Sequence, residues 1–131
     1  MQTYNNIQNA SLLILRVITA SIFFVAAYYK IPFWSFEPEG LSAFLLFTTR
    51  LLSIAEPLGA IAVLIGFLTR WAAIGQIIIL IGAIFVTQFV LGMGFVTPTS
   101  AGWNMPLAVL GGSLVLAAFG AGKWSVDSRN K

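Results

Sequence analysis

The chain has 131 residues, 59% of them hydrophobic and 8% charged, with a mean hydropathy of +0.93. Soluble domains carry about 25% charged residues, so the composition excludes a water-exposed globular protein and points to an integral membrane protein whose first partner is the lipid bilayer. There is no cysteine and no histidine, which excludes disulfides, thiol redox chemistry and metal or haem sites of the His/Cys kind, and removes the commonest general base near neutral pH. The net charge of +3 is scattered along the chain rather than clustered, so no nucleic-acid surface is expected.

In chain order, residues 1–9 read as a short polar tail. Residues 11–29 are apolar except for Arg16 and form the first expected transmembrane helix. A cleaved secretory signal is the weaker reading. The leading residues lack positive charge, Arg16 interrupts the apolar run, and further hydrophobic segments follow. Residues 30–40 form a linker with Pro32, Pro38, Trp34, Glu37 and Glu39. Residues 41–68 form the second helix, which at about 1.5 Å per residue exceeds a hydrocarbon core of about 30 Å. It must tilt or leave its first turns outside, and Pro57 should kink it beside Glu56.

Thr69, Arg70 and Trp71 read as a tight turn. Residues 72–92 form the third helix, with Gln76 and Gln88 expected as interhelical hydrogen-bonders. Residues 94–104 form a charge-free loop. Residues 105–120 form the fourth and shortest helix, with Pro106 tolerated in its first turn and Trp103 and Trp124 at its ends. Residues 123–131 are a polar tail. The fold class expected is an all-α, four-transmembrane-helix bundle in one domain, residues 1–131. Trp34, Trp71, Trp103 and Trp124 fall one at each successive helix boundary, as an aromatic belt requires; three or five spans would misplace at least one.

Orientation follows from loop charge. Four spans put both termini and the Arg70 turn on one side, with Arg70, Lys123, Arg129 and Lys131. Lys30, Glu37 and Glu39 lie on the other. Both termini are therefore expected in the cytoplasm. Helix contacts should use small residues, with Gly59 and Gly66 on one face of the second helix, Gly75 and Gly82 on the third, and Ala108 and Gly112 on the fourth.

Charge inside the apolar segments is the informative feature. A carboxylate at the bilayer centre costs at least about 2.5 kcal/mol on insertion scales, so Glu56 needs a partner. Counted from the helix ends at about 1.5 Å per residue, Arg16 lies roughly 12 Å and Glu56 roughly 18 Å from the cytoplasmic edge. That offset is within an arginine's reach, so Arg16 with Glu56 is the expected buried pair. Arg50 is about 240° around the helix from Glu56 and nearer the outer side, where it can snorkel or meet Glu37 or Glu39. Lys30, after Tyr28 and Tyr29, reads chiefly as an interfacial anchor. Two readings of the buried pair stand side by side: an ion pair that sets helix register, and the polar floor of a small-molecule or proton site.

Several segments carry a resemblance. Arg16 precedes an aromatic-small stretch ending in lysine, FFVAAYYK at 23–30. Glu56 precedes small residues that lead to GFLTR at 66–70. The chain closes with GAGKWSVD at 120–127. Together these resemble the DoxX family of small four-helix bacterial membrane proteins, over about residues 11–127. The resemblance implies a multi-pass protein of the bacterial inner membrane in a redox neighbourhood. It further implies subunits or partners of quinone-linked oxidoreductases, such as thiosulfate:quinone oxidoreductase, or of membrane assemblies that handle oxidative stress. Arg16, Lys30, Glu56 and Arg70 are the matching charged positions. Some relatives carry cysteines suited to thiol transfer; this chain has none.

Three functions are therefore weighed. The first is a non-catalytic membrane subunit of a redox complex, with a quinone or lipid pocket beside Glu56. The second is a small proton-coupled multidrug-type exporter acting as a homodimer. The third is a structural or assembly factor in which the polar pair only sets packing.

Overall fold

The computed structural model describes residues 4–129; the first three residues of the expected amino-terminal tail and Lys131, counted above toward orientation, lie outside that range. Helix α1 (Asn6–Tyr28) starts inside the stretch expected to be a tail. The cause is a capping box: Gln8 N donates to Asn5 Oδ1 at 2.8 Å and Asn5 N donates to Gln8 Oε1 at 2.9 Å, satisfying amides that the helix cannot. A 3₁₀ turn (Ile31–Trp34) with Pro32 in its first turn follows, and then α2 (Ala43–Ile65), capped by the Ser42 hydroxyl. Helix α3 (Thr69–Phe85) runs on into a π-helical turn (Val86–Val90). Helix α4 (Asn104–Phe119) and a single turn, α5 (Val126–Arg129), complete the chain. Among the described residues there is no strand, only an isolated bridge between Val96 and Ala101 in the charge-free loop.

Three helices are long and apolar enough to cross a membrane, and α4 is a shorter apolar helix of 16 residues. The chain is an all-helical membrane protein. Helix α2 is 23 residues rather than the expected 28 positions, close to the about 20 residues that span a bilayer, so the excess length disappears. It runs unbroken through Pro57. It ends early because Gly66 takes a left-handed conformation (φ 75°, ψ 40°) and Phe67 N donates back to Ala62 O at 2.8 Å, a glycine-terminated cap. The expected turn at Thr69–Trp71 therefore sits at Gly66–Leu68, and Thr69 already opens α3.

Two antiparallel hairpins, α1/α2 and α3/α4, make the most extensive contacts and pack on each other through α2–α3 and α1–α4. Small residues share the interior with a few large ones such as Phe23, Leu80 and Leu116. Ala20, Ala60, Ala73 and Ser113 are fully buried, while Phe44, Phe47, Ile78 and Phe89 stand exposed on the outside. This inversion is what lipid permits: it offers apolar side chains no incentive to hide, and small residues let backbones approach. The expected glycine faces fare unevenly. A Cβ at Gly112 would lie 3.1 Å from Leu15 Cδ1, so α1 and α4 do meet there, and Gly59 abuts Gln76. Gly75 and Gly82 face open space, Ala108 is exposed, and Gly66 is a helix cap rather than part of a helix face.

Both described chain ends and the α2–α3 turn lie at one end of the bundle. Tyr4 Oη donates to Phe119 O at 2.8 Å, Lys123 N to Asn9 Oδ1 at 2.8 Å, and Asp127 N to Gly66 O at 2.8 Å. The α1–α2 linker and the 91–103 loop lie at the other. The four tryptophans sit where the aromatic-belt argument put them: in the 3₁₀ turn, in the first turn of α3, at the start of α4 and just after its end.

Gly66 tests this closure. A Cβ there would collide with Ser125 Cβ and lie 3.1 Å from Arg16 Nη2, in a backbone conformation that L side chains avoid. Gly66→Ala should lower unfolding stability by more than about 1 kcal/mol, read by circular dichroism in mixed micelles. An unchanged transition would contradict the close docking of the carboxyl-terminal segment.

Candidate functional site

Arg16 lies on α1 and is 2% exposed. Its guanidinium donates to four backbone carbonyls: Nε to Val63 O at 2.9 Å, Nη2 to Leu64 O at 2.6 Å, and Nη1 to Ala121 O at 3.1 Å and Trp124 O at 2.8 Å. The first two close the carboxyl end of α2, where the last carbonyls lack helical partners and the helix dipole is negative. The other two belong to the segment after α4. One cation thus ties three parts of the chain together at the buried end of a turn.

The expected Arg16–Glu56 pair is not formed. Arg16 is level with Val63 and Leu64, which are seven and eight residues past Glu56. At about 1.5 Å per residue that places the carboxylate some 10 Å farther along α2, beyond the guanidinium. The depth count failed because it set the two helix ends at one level: Arg16, ten residues into α1, is level with Val63, two residues from the end of α2. Lys30 takes Glu56 instead: Nζ lies 3.1 Å from Glu56 Oε2 and donates also to Ala26 O at 3.3 Å. Lys30 was expected as an outward interfacial anchor. It reaches back along α1, because burying an unpaired carboxylate costs more than shortening a lysine's path to water. Lys30 remains 24% exposed and Glu56 4% exposed.

A further buried polar group lies about one helical turn along α2 from this pair. Gly59, one turn from Glu56 on the same face, abuts Gln76 Nε2. Among the described residues both amide atoms of Gln76 are buried without a hydrogen-bond partner, as is Ser113 Oγ on α4. Gln76 was expected to bridge helices through hydrogen bonds and does not; Gln88 is exposed in the π turn. Glu56 uses only Oε2 for its protein contact. The candidate site is therefore Lys30, Glu56 and Gln76, a donor, an acceptor and an amide with free capacity.

Arg50 meets Glu37 at 3.1 Å, one of its two expected partners, on a surface where such pairs contribute at most about 1 kcal/mol. Its stronger anchors are Phe33 O, at 2.9 Å from Nε, and the Trp34 ring, 5.8 Å from Cζ. Trp34 Nε1 in turn donates to Ser53 Oγ at 2.8 Å, so the linker is strapped onto α2. Arg70 is exposed at the opposite end and forms no ion pair among the described residues.

Asp127 escaped the sequence reading. Its Oδ1 accepts from Leu68 N at 2.7 Å and its Oδ2 from Thr69 N at 2.9 Å, so it caps α3 from outside that helix. It also stabilises Leu68, which sits at φ 48° in the left-handed region. A sequence signal existed, an S-x-D in the closing motif, but its target lies 58 residues away. The two resemblance motifs, 66–70 and 120–127, are thus one structural unit.

The DoxX family model matches residues 11–89, more than half the chain. The match takes in Arg16, Lys30, Arg50, Glu56 and Arg70 and stops before the 120–127 segment. Comparison with curated proteins and with solved structures finds no match.

Two outcomes follow for stability. Lys30→Met strands the Glu56 carboxylate and should cost about 3 kcal/mol, whereas the Lys30→Met/Glu56→Met double variant should regain most of it. A double-mutant cycle in detergent reads the coupling, and additive losses would deny the pairing. Asp127→Ala should cost about 1–2 kcal/mol through the lost cap, with Asp127→Asn recovering part, measured as a shift in unfolding midpoint.

Proposed function

The chain belongs to the DoxX family, and from that premise we propose that it is a non-catalytic membrane subunit or partner of a quinone-linked oxidoreductase, with a ligand site beside Glu56. Supporting this is one observation: a Lys30–Glu56 pair with its carboxylate buried in an apolar bundle, about one helical turn from a Gln76 amide that has no hydrogen-bond partner among the described residues. Buried amides are almost always hydrogen-bonded, so Gln76 calls for a polar partner from outside the chain. A ligand with ring carbonyls fits this donor set. Lys30 Nζ and Gln76 Nε2 would donate to its oxygens, and Glu56 would hold or release a proton at Oε1. A quinone, when bound, supplies two-electron, two-proton redox chemistry. The chain has neither cysteine nor histidine, so in this reading the electrons would come from a partner.

In this reading the end bearing Arg70, Lys123 and Arg129 faces the cytoplasm of a bacterium, by the excess of positive charge in its short connections. An assembly-factor role is the second reading, favoured by the fact that Glu56 is already paired within its own chain and can act as a register device. That same pairing lends less support to a dimeric proton-coupled exporter, whose carboxylate must stay open to substrate.

Mild-detergent purification from native membranes, with mass spectrometry of proteins and extracted lipids, separates these readings. A redox partner and quinone should co-purify with the wild type, and Gln76→Leu should lose quinone while keeping the fold. Recovery of the chain alone, without quinone, would leave the assembly role. Proton-gradient-driven substrate uptake in proteoliposomes, abolished by Glu56→Gln, would favour the exporter.

A further inference from the structure

A second site lies at the other end of the bundle, independent of the Glu56 reading. A cavity of about 630 Å³ opens between the start of α3 and the segment after α4. Arg70 and Lys123 line it, and neither forms an ion pair among the described residues. Thr69 lines it as well. That residue is 1% exposed, and its hydroxyl has no hydrogen-bond partner among the described residues. The space beside Arg70 is shaped by the backbone: a Cβ at Gly120 would lie 3.2 Å from Arg70 Nε, so glycine there lets the guanidinium lie close against this segment. Tyr4, Trp71 and Phe119 form an aromatic rim.

Asp127 is the one carboxylate in the lining. Both of its oxygens are committed to the Leu68 and Thr69 amides, where the positive end of α3 and the buried Arg16 guanidinium, within electrostatic reach, offset its charge. The open charge of the cavity is therefore that of Arg70 and Lys123. A planar guanidinium fork matches phosphate oxygens, an ammonium adds a second cation, and an unpaired hydroxyl supplies a directional donor.

We propose that this cavity binds a phosphate group, with Arg70 and Lys123 carrying its charge and the Thr69 hydroxyl donating to one of its oxygens. The phosphate could be presented by an anionic phospholipid headgroup or by a soluble phosphate monoester. The aromatic rim suits the glycerol and upper acyl region of a lipid.

Native mass spectrometry of the full chain tests this, with phosphatidylglycerol against phosphatidylcholine, and glycerol phosphate added to phosphatidylcholine in a parallel arm. The wild type should retain the anionic lipid about tenfold better. Lys123→Gln and Arg70→Gln should each lose most of that preference, since a charged contact is worth about a tenfold change in affinity. Lys123 is exposed and forms no ion pair among the described residues, so its loss leaves the fold intact. Thr69→Val removes only the unpaired hydroxyl: it should weaken retention about threefold while the melting temperature in phosphatidylcholine holds or rises. Arg50→Gln, at the opposite end, should change nothing. Glycerol phosphate binding with the same dependence on Arg70 and Lys123 would assign a soluble ligand, and binding of phosphatidylglycerol alone a lipid. No preference for either phosphate, a preference that survives the Arg70→Gln/Lys123→Gln double variant, or an equal loss with Arg50→Gln would overturn the proposal.

Discussion

A single guanidinium, at the point where three chain segments converge, holds the closed end of this bundle together. Helix ends inside a low-dielectric interior are expensive, because carbonyls stripped of water must find donors. Arg16 resolves this for α2 and for the segment after α4 at once, through four carbonyls. Its own charge is spread over dipoles instead of being cancelled by one carboxylate. That arrangement frees Glu56 for a different partner and leaves Asp127 to serve α3.

The ionisable groups are therefore sorted by depth into separate tasks. Arg16, Asp127 and the Gly66–Leu68 turn make a rigid knot at one end. Arg50, Trp34 and Ser53 strap the linker at the other. Between these fastened ends lie Lys30, Glu56 and Gln76, where polar capacity exceeds what the protein itself uses. Rigid ends around an unsaturated middle are what a ligand site needs, since its groups must hold their positions before anything binds.

Much of the architecture could be read from the residues. Four apolar segments, the tryptophan at each boundary and the Arg50–Glu37 contact all follow from periodicity, composition and local charge. The buried pairing could not. It depended on the relative level of two helix ends: α1 starts well outside the level at which α2 stops, which sets Arg16 beside Val63 and Leu64 and leaves Glu56 out of its reach. Arginine's preference for carbonyls over a carboxylate is set by which orphaned groups happen to be level with it, a tertiary fact. Asp127 was invisible for the same reason: a cap is normally sought in the residues just before a helix, and this one comes from the far end of the chain. The small-residue faces were legible only in part, since glycines at 75 and 82 look identical in sequence to Gly112, which does meet a neighbour.

The brevity of α4 reaches beyond the protein itself. Sixteen residues rise only about 24 Å, some 6 Å short of an average hydrocarbon slab. The adjoining 91–103 loop carries no charge, so it can sink below the headgroup level without resisting. An α4 that crossed the bilayer would require the surrounding leaflet on that flank to dimple, and such hydrophobic mismatch costs a fraction of a kcal/mol for each ångström. Covering such a helix with a neighbour of matching thickness would relieve that deformation, so its short length would couple lateral packing to the thickness of the surrounding membrane.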